Sequence, residues 1–252
     1  MLMKLPNVLI CAPTSMAKNY CFKEWLENVM NFTYPFFKIR LFDNTNDQGD
    51  NSINLTNYYK KNYGANDKFE MINSLLLNNI DKRNVSGIIS RIAMSHNDCR
   101  EYAIQNNYSF ILHLETDVFP QKDIIEKLLF EHKHVIGAVY YTDEGIHRKP
   151  MIQTKLFKAP NNVTSLNLLK NEDIYFINGE VKPVASVGLG CVLISNKVFT
   201  KIPFRYVEGQ DFHPDTYFSQ DCHLSNIQVY AHTDCIARHE NKAWGIYGMD
   251  YR

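Results

Sequence analysis

The run Phe110-Ile111-Leu112-His113-Leu114 ends abruptly in Glu115-Thr116-Asp117, before Val118-Phe119-Pro120. No other stretch restricts the possible folds as much. An apolar, β-favouring run without polar alternation reads as a strand buried on both faces, as in a parallel sheet. An amphipathic segment, Lys122 to Phe130, follows. Such units build α/β folds, whose ligands bind beyond the carboxyl ends of the strands. Side chains two apart on an extended chain point the same way, so Glu115 and Asp117 can face one point there. Two hard oxygen donors suit a Mg²⁺ or Mn²⁺ that also holds a phosphate. Taken alone, the triplet fits a solvated turn equally well.

The rest of the chain supplies matching units. Asn7 to Cys11 reads as a strand, Ala12-Pro13-Thr14-Ser15 as a small-residue turn, and Lys18 to Met30 as a helix with Phe22, Trp25, Leu26 and Val29 on one face. Phe36 to Phe42 is a second strand. It ends in the polar loop Asp43 to Asp47, where Asp43 either accepts from a base or ribose or serves the turn itself. Gly49 to Gly64 reads as a long polar excursion and Lys68 to Asn79 as a helix. Val85 to Ala93 fits a strand or a helix start. Ser95-His96-Asn97-Asp98 reads as an N-cap cluster opening a helix from Cys99 to Asn107. Arg100 then lies in a first turn, where the helix dipole disfavours a cation, so it calls for an anionic partner, in the protein or in a ligand.

Downstream, His134 to Tyr141 is a strand leading into the charged loop Thr142 to Pro150. Residues 151–183 read as a β-hairpin region with a turn at Asn178-Gly179. Val184 to Ile194 reads as one strand interrupted by Gly188 and Gly190, which admit a ligand or bend the backbone. A loop from Val207 to Asp215 precedes a helix, with Gln220-Asp221 near its start. Val229 to Ala237 is the last strand and delivers Arg238-His239-Glu240. The tail beyond Glu240 is aromatic and broken by glycines. With no repeat and no linker, residues 1–252 read as one domain.

Lys+Arg and Asp+Glu are equal at 27 each, so no general basic excess advertises a nucleic-acid partner. A local patch from Arg148, Lys149, Lys197, Lys201 and Arg205 stays open. No apolar run reaches the length of a membrane span, and the N-terminus lacks a signal-peptide layout, so a cytoplasmic protein is expected. The six cysteines contain no Cys-x-x-Cys pair and should stay reduced there. Cys222-His223 with His232 and Cys235 has poor zinc-ligand spacing and reads as ordinary buried thiols and strand residues.

Glu115-Thr116-Asp117 after a central strand, Gln220-Asp221 at a helix start and His239 after the last strand, in that order, resemble a GT-A fold glycosyltransferase of the family 2 type. The resemblance spans Asn7 to about Glu240. It implies a single Rossmann-like, nucleotide-diphospho-sugar transferase domain with a mostly parallel sheet flanked by helices. It implies a hexosyltransferase-like activity that takes a sugar from a nucleoside-diphosphate donor to an acceptor hydroxyl, with Mn²⁺ or Mg²⁺. Asp117, His239 and Glu115 are the implied metal residues, with Glu replacing the family's first Asp. Asp221 is the implied general base of an inverting reaction. Asp215 and Asp211 are alternatives for that role. Pro13, Thr14, Asp43, Asn97, Arg100, Glu115, Thr116 and Gly188 are implied on the donor side. Asp215 and Trp244 belong to the acceptor side, in a chain whose residues 240–252 could close as a C-terminal lid.

Two rivals accompany this reading. A nucleotidyltransferase on a similar sheet would want a glycine-rich phosphate loop after the first strand, and Ala12-Pro13-Thr14 is not one. A non-catalytic nucleotide-sugar or carbohydrate-binding protein could share the fold. The acceptor, whether protein, glycan, small molecule or modified nucleic-acid base, is not legible.

Overall fold

The computed structural model of the chain describes residues 5–77, 87–142, 149–153, 176–208 and 212–240. In chain order it begins with β1 (Val8–Thr14), a 3₁₀ turn (Met16–Lys18), α1 (Asn19–Met30), β2 (Phe37–Asp43), α2 (Asp50–Tyr63), β3 (Phe69–Asn73), α3 (Ser74–Leu77) and α4 (Ile88–Gln105). Then come β4 (Phe110–Leu114), β5 (Val118–Phe119), α5 (Ile124–Phe130), β6 (Val135–Val139), β7 (Tyr141–Thr142), β8 (Lys149–Pro150) and β9 (Ile152–Gln153). The rest are β10 (Val181–Val184), β11 (Ser186–Val187), β12 (Cys191–Ser195), α6 (Asn196–Phe199), α7 (Pro214–Leu224), β13 (Val229–Ile236) and β14 (Arg238–His239).

Eight strands form one sheet in the order β10-β13-β6-β12-β4-β1-β2-β3. Six of them run parallel; β12 and β10 run against their neighbours. The mostly parallel sheet expected from the apolar runs is therefore present. Successive residues of β1 face opposite layers. Val8, Ile10 and Ala12 join Trp25, Leu26, Tyr59 and Leu128 on one side of the sheet. Leu9 and Cys11 join Cys99, Ala103, Phe199 and Phe218 on the other. Helices thus cover both faces. Burying a large side chain such as Trp25 completely stabilises the fold by about 1.5–3 kcal/mol.

Several elements differ from the sequence expectation. Residues 50–63 are helix α2, not an excursion: Asn51, Ser52 and Tyr59 are its buried positions, and polar ones replace an apolar stripe. Phe69–Asn73 is an edge strand rather than a helix, because burial alternates along it with a period of two. Ser95 to Asp98 do not cap a helix. They lie inside α4, where Ser95 donates to Ser74 Oγ at 3.0 Å. Val184 to Ile194 is not one strand but β10, β11 and β12, which lie in different sheets or places of the main sheet. At the start of the expected hairpin region 151–183, β9 pairs antiparallel with β11, and residues 154–175, which hold most of that expectation, fall outside the described residues.

Register brings the functional ends together. Thr14 pairs with Asp43, and Cys11 with His113, so β1, β2 and β4 end at one edge. Antiparallel β12 begins there, with Cys191 opposite Leu114.

Candidate active site

Past β4 the chain makes a tight turn. The Glu115 N–H donates to Gly190 O at 3.0 Å, and the Val118 N–H to Glu115 O at 3.0 Å. Thr116 and Asp117 are fully buried in this turn. The Thr14 and Thr116 hydroxyls share a hydrogen bond of 2.9 Å, which ties the turn to the end of β1. β14 then pairs with β5, putting His239 opposite Val118, and the Glu240 N–H donates to Asp117 O at 2.8 Å. The last described strand thereby lays His239 beside Asp117.

The Asp117 carboxylate is half satisfied. Its Oδ1 accepts from Lys18 Nζ at 2.9 Å. Its Oδ2 is buried, has no hydrogen-bond partner, and lies 3.7 Å from His239 Nε2. That separation is too long for a hydrogen bond. Burial alone would raise the Asp117 carboxyl, but Lys18 and then His239 outweigh it and hold it at about 2. Burial would lower His239, and Asp117 reverses the direction and raises it. The ring orientation is fixed by Nδ1 against Tyr141 O at 2.9 Å and by the edge of Tyr140, 5.2 Å away. Lys18 Nζ also reaches Glu115 Oε2, at 2.6 Å. Burial alone would lower the Lys18 ammonium, but the Asp117 and Glu115 carboxylates raise it well above its usual range.

These residues fit a divalent metal. Two atoms each about 2.1 Å from a small dication lie at most about 4.2 Å apart, so Asp117 Oδ2 and His239 Nε2 are already in chelating range. A backbone carbonyl at the far ring nitrogen is the usual second support of a metal-binding histidine. Among the described residues, the one group of three whose donor atoms lie within 4.8 Å of each other is elsewhere: Cys11, Cys99 and His113, all buried between β1, β4 and α4. Burial, with Cys11 beside it, pushes the Cys99 thiol well up, and burial drops His113 to about 3. All six cysteines are buried and free of disulfides.

Gly188 and Gly190 make room for the Tyr140 side chain. A Cβ on Gly188 would stand 1.9 Å from Tyr140 Oη, and one on Gly190 2.6 Å from its ring. The Gly190 N–H donates to that hydroxyl at 3.0 Å. Burial pushes the phenol well up, and the Glu115, Asp215 and Asp117 carboxylates near it add to the effect. Those three acids therefore share one neighbourhood.

The two acids of α7 part company. Asp215, in its first turn, is partly buried and accepts at Oδ1 from the Thr216 N–H at 2.7 Å. Burial raises its carboxyl; His213 opposes this and Glu115 reinforces it. Asp221 is held from both sides by Arg205: Nε donates to Oδ2 at 2.8 Å and Nη2 to Oδ1 at 3.0 Å. Six residues apart on a helix set the two acids about 120° apart around the axis and ~9 Å apart along it, so they do not face one point.

The remaining residues from the sequence reading are accounted for as follows. Pro13 and Thr14 line the end of β1 and are buried. Asp43 is fully buried and receives Asn51 Nδ2 and Ser52 Oγ at Oδ2, each at 2.9 Å, and Thr45 N–H at Oδ1. Asn97 both donates to and accepts from the backbone of Phe204. Arg100 lies well inside α4 rather than in a first turn, so the dipole argument for an anionic partner does not apply, and its guanidinium donates to the neutral Phe199 and Thr200 carbonyls at the end of α6. Asp211 and Trp244, with the proposed lid, lie outside the described residues. Sequence reasoning missed Lys18 and Tyr140. A lysine just before a helix and a tyrosine after a strand carry no local signature of their distant partners.

No helix among the described residues is long and apolar enough to cross a membrane. No family model matches the chain, and no curated protein matches it. Solved structures do match in shape. A mannosyltransferase from Pyrobaculum calidifontis in complex with GDP-Man and Mn²⁺ superposes with a TM-score of 0.60 at 11% identity, over 99% of this chain and 62% of that one. GalNAc-T7 with UDP, GalNAc and Mn²⁺ gives 0.59 at 11%, over 94% and 44%. S. aureus TarS 1-349 with UDP-GlcNAc gives 0.54 at 13%, over 93% and 59%. The chain therefore spans about half to three-fifths of the length of these three. With the sheet order and the acidic turn already in place, it has the GT-A fold of the nucleotide-sugar-dependent glycosyltransferases.

Proposed function

We propose that the protein is a metal-dependent glycosyltransferase that moves a sugar from a nucleoside-diphosphate donor to an acceptor hydroxyl with inversion, and that Asp215 is its general base. The observation carrying the reading is the Asp117 carboxylate. It is fully buried at the ligand-binding edge of the sheet, with one oxygen left bare beside a fixed imidazole nitrogen. A buried bare carboxylate oxygen is costly unless a ligand completes it. Asp117 and His239 would hold Mn²⁺ or Mg²⁺, with Glu115 beside them. Bound there, the metal would neutralise and orient the leaving diphosphate.

The base takes the proton from the acceptor hydroxyl as its oxygen bonds to the anomeric carbon and the bond from that carbon to the diphosphate breaks. Asp221 was the residue implied by the family pattern. Its carboxylate is engaged by Arg205, whereas Asp215 stands near Glu115 with a raised pKa, closer to what a general base needs at neutral pH. The hexose, the nucleotide and the acceptor are open. The test is a panel of UDP- and GDP-sugars with Mn²⁺, scored for donor hydrolysis and, once an acceptor is found, for anomeric configuration by NMR. No hydrolysis and no metal-dependent binding across the panel would refute the reading; a retained configuration would remove the need for a base at Asp215.

A further inference from the structure

Lys18 reaches the acidic turn from the 3₁₀ segment that follows β1, far from it in sequence. Its ammonium bridges both acids of the motif, at 2.6 Å to Glu115 Oε2 and 2.9 Å to Asp117 Oδ1. Its side chain is 18% exposed, so the pair is largely out of solvent. The backbone behind it is fixed as well: its carbonyl accepts from the Cys21 thiol, which also donates to Thr116 O of the acidic turn. Glu115, Asp117 and His239 do not converge as a three-ligand group in this arrangement. What stands between the two carboxylates is Lys18.

We propose that Lys18 is the resident cation of the acidic pair and that it couples metal entry to donor binding. This rests on the glycosyltransferase reading. A dication on the bare Asp117 Oδ2 and the Lys18 ammonium on Oδ1 of the same carboxylate would stand within a few ångströms of each other, and like charges that close in a buried site repel strongly. Metal entry therefore releases Lys18. The released ammonium is a flexible point charge with three donors, on a stem rooted at the carboxyl end of β1, and the fitting partner there is the donor's diphosphate. Without a donor, Lys18 returns to the acids and opposes the metal. The chain thereby binds metal weakly alone and well only with the nucleotide.

The test uses the whole protein and MnCl₂ alone, with free Mn²⁺ followed by electron paramagnetic resonance. Lys18→Met should bind Mn²⁺ at least roughly 10-fold more tightly than wild type, because the competing charge is gone. Lys18→Arg, which keeps the charge, should not gain. The same Lys18→Met protein should bind UDP or GDP roughly 10-fold more weakly at saturating Mn²⁺. An unchanged or weakened Mn²⁺ affinity in Lys18→Met, or an equal gain in Lys18→Arg, overturns the proposal. Should Lys18→Met fail to fold, wild type decides. The Lys18 ε-methylene signal, assigned by its loss in Lys18→Arg, must shift when Mg²⁺ and UDP or GDP are added together, and a signal that stays put through saturation overturns the proposal. Failure of UDP and GDP to bind under any condition would instead refute the glycosyltransferase reading, and the Mn²⁺ comparison would still decide the lysine.

Discussion

Two pairs of acids in this molecule are treated in opposite ways. Asp43 and Asp221 are closed. Asp43 takes hydrogen bonds from Thr45, Asn51 and Ser52, all within nine residues of it, and Asp221 is clasped by both arms of Arg205. Asp117 and Asp215 are open. Asp117 keeps a bare oxygen beside His239, and the hydrogen bonds Asp215 accepts among the described residues fall on Oδ1, from its own neighbour Thr216. Closed carboxylates are satisfied by the fold and hold it together. Open ones leave capacity that a metal or a substrate proton can complete. The family pattern could not tell the two kinds apart: it placed Asp221 at a helix start, whereas α7 begins at Pro214, so Asp215 is the acid of its first turn and Asp221 lies in its C-terminal half.

The sharpest way to break this comparison is kinetic. Asp215→Asn should lower single-turnover transfer by ~10²–10⁴ while keeping donor binding, the range of a lost general base. Asp221→Asn should cost far less, with its effect on stability. The reverse pattern would return the base to Asp221. Since burial raises the Asp215 carboxyl, the acid limb of the rate should lie above an ordinary aspartate's range near 3.9, with transfer falling as pH drops through it. The same shift makes the folded state prefer protonated Asp215. Its contribution to stability is present below the unfolded value and is lost as pH rises through the raised one.

Urea unfolding separates the pairs next. Asp43→Ala strands the donors of Asn51 and Ser52 inside the protein and should lower the unfolding free energy by about 2–4 kcal/mol. Asp117→Ala should cost less, because Lys18 keeps Glu115. Equal losses would mean that Asp117 is structural. In calorimetry the order should invert: Asp117→Ala should weaken metal-dependent nucleotide binding by roughly 100-fold, about 2.7 kcal/mol, and folded Asp43→Ala should leave it nearly unchanged. The smallest effect concerns the wall of the site. Gly190→Ala drives a methyl into the Tyr140 ring, and should destabilise by about 1–3 kcal/mol while loosening His239, which rests on that ring. Unaltered stability would show that Tyr140 can move aside.

The apolar runs at Val8, Phe37, Phe110, Val135 and Val229 announced strands, and the spacing of Phe22, Trp25, Leu26 and Val29 announced α1, because burial on a strand or a helix leaves a periodic trace. Glu115 and Asp117 were legible for the same reason: they interrupt such a run at its end. Helix α2 was not, since polar Asn51 and Ser52 are buried for the sake of Asp43 rather than for the core. The glycines of 188–190 were visible, but their reason, the Tyr140 ring, was not.

By itself, then, the sequence determined the parallel sheet, the acidic turn at its carboxyl edge and the late histidine. Each of these is written in local order and hydrophobic period. Only the tertiary structure decided which acids stay open. That depends on partners brought from afar: Lys18 from 99 residues away for Asp117, Arg205 from 16 away for Asp221, and β14 laid across β5 to bring His239 to the turn. Charge satisfaction is a property of three-dimensional neighbourhoods, and neither period nor motif spacing encodes it.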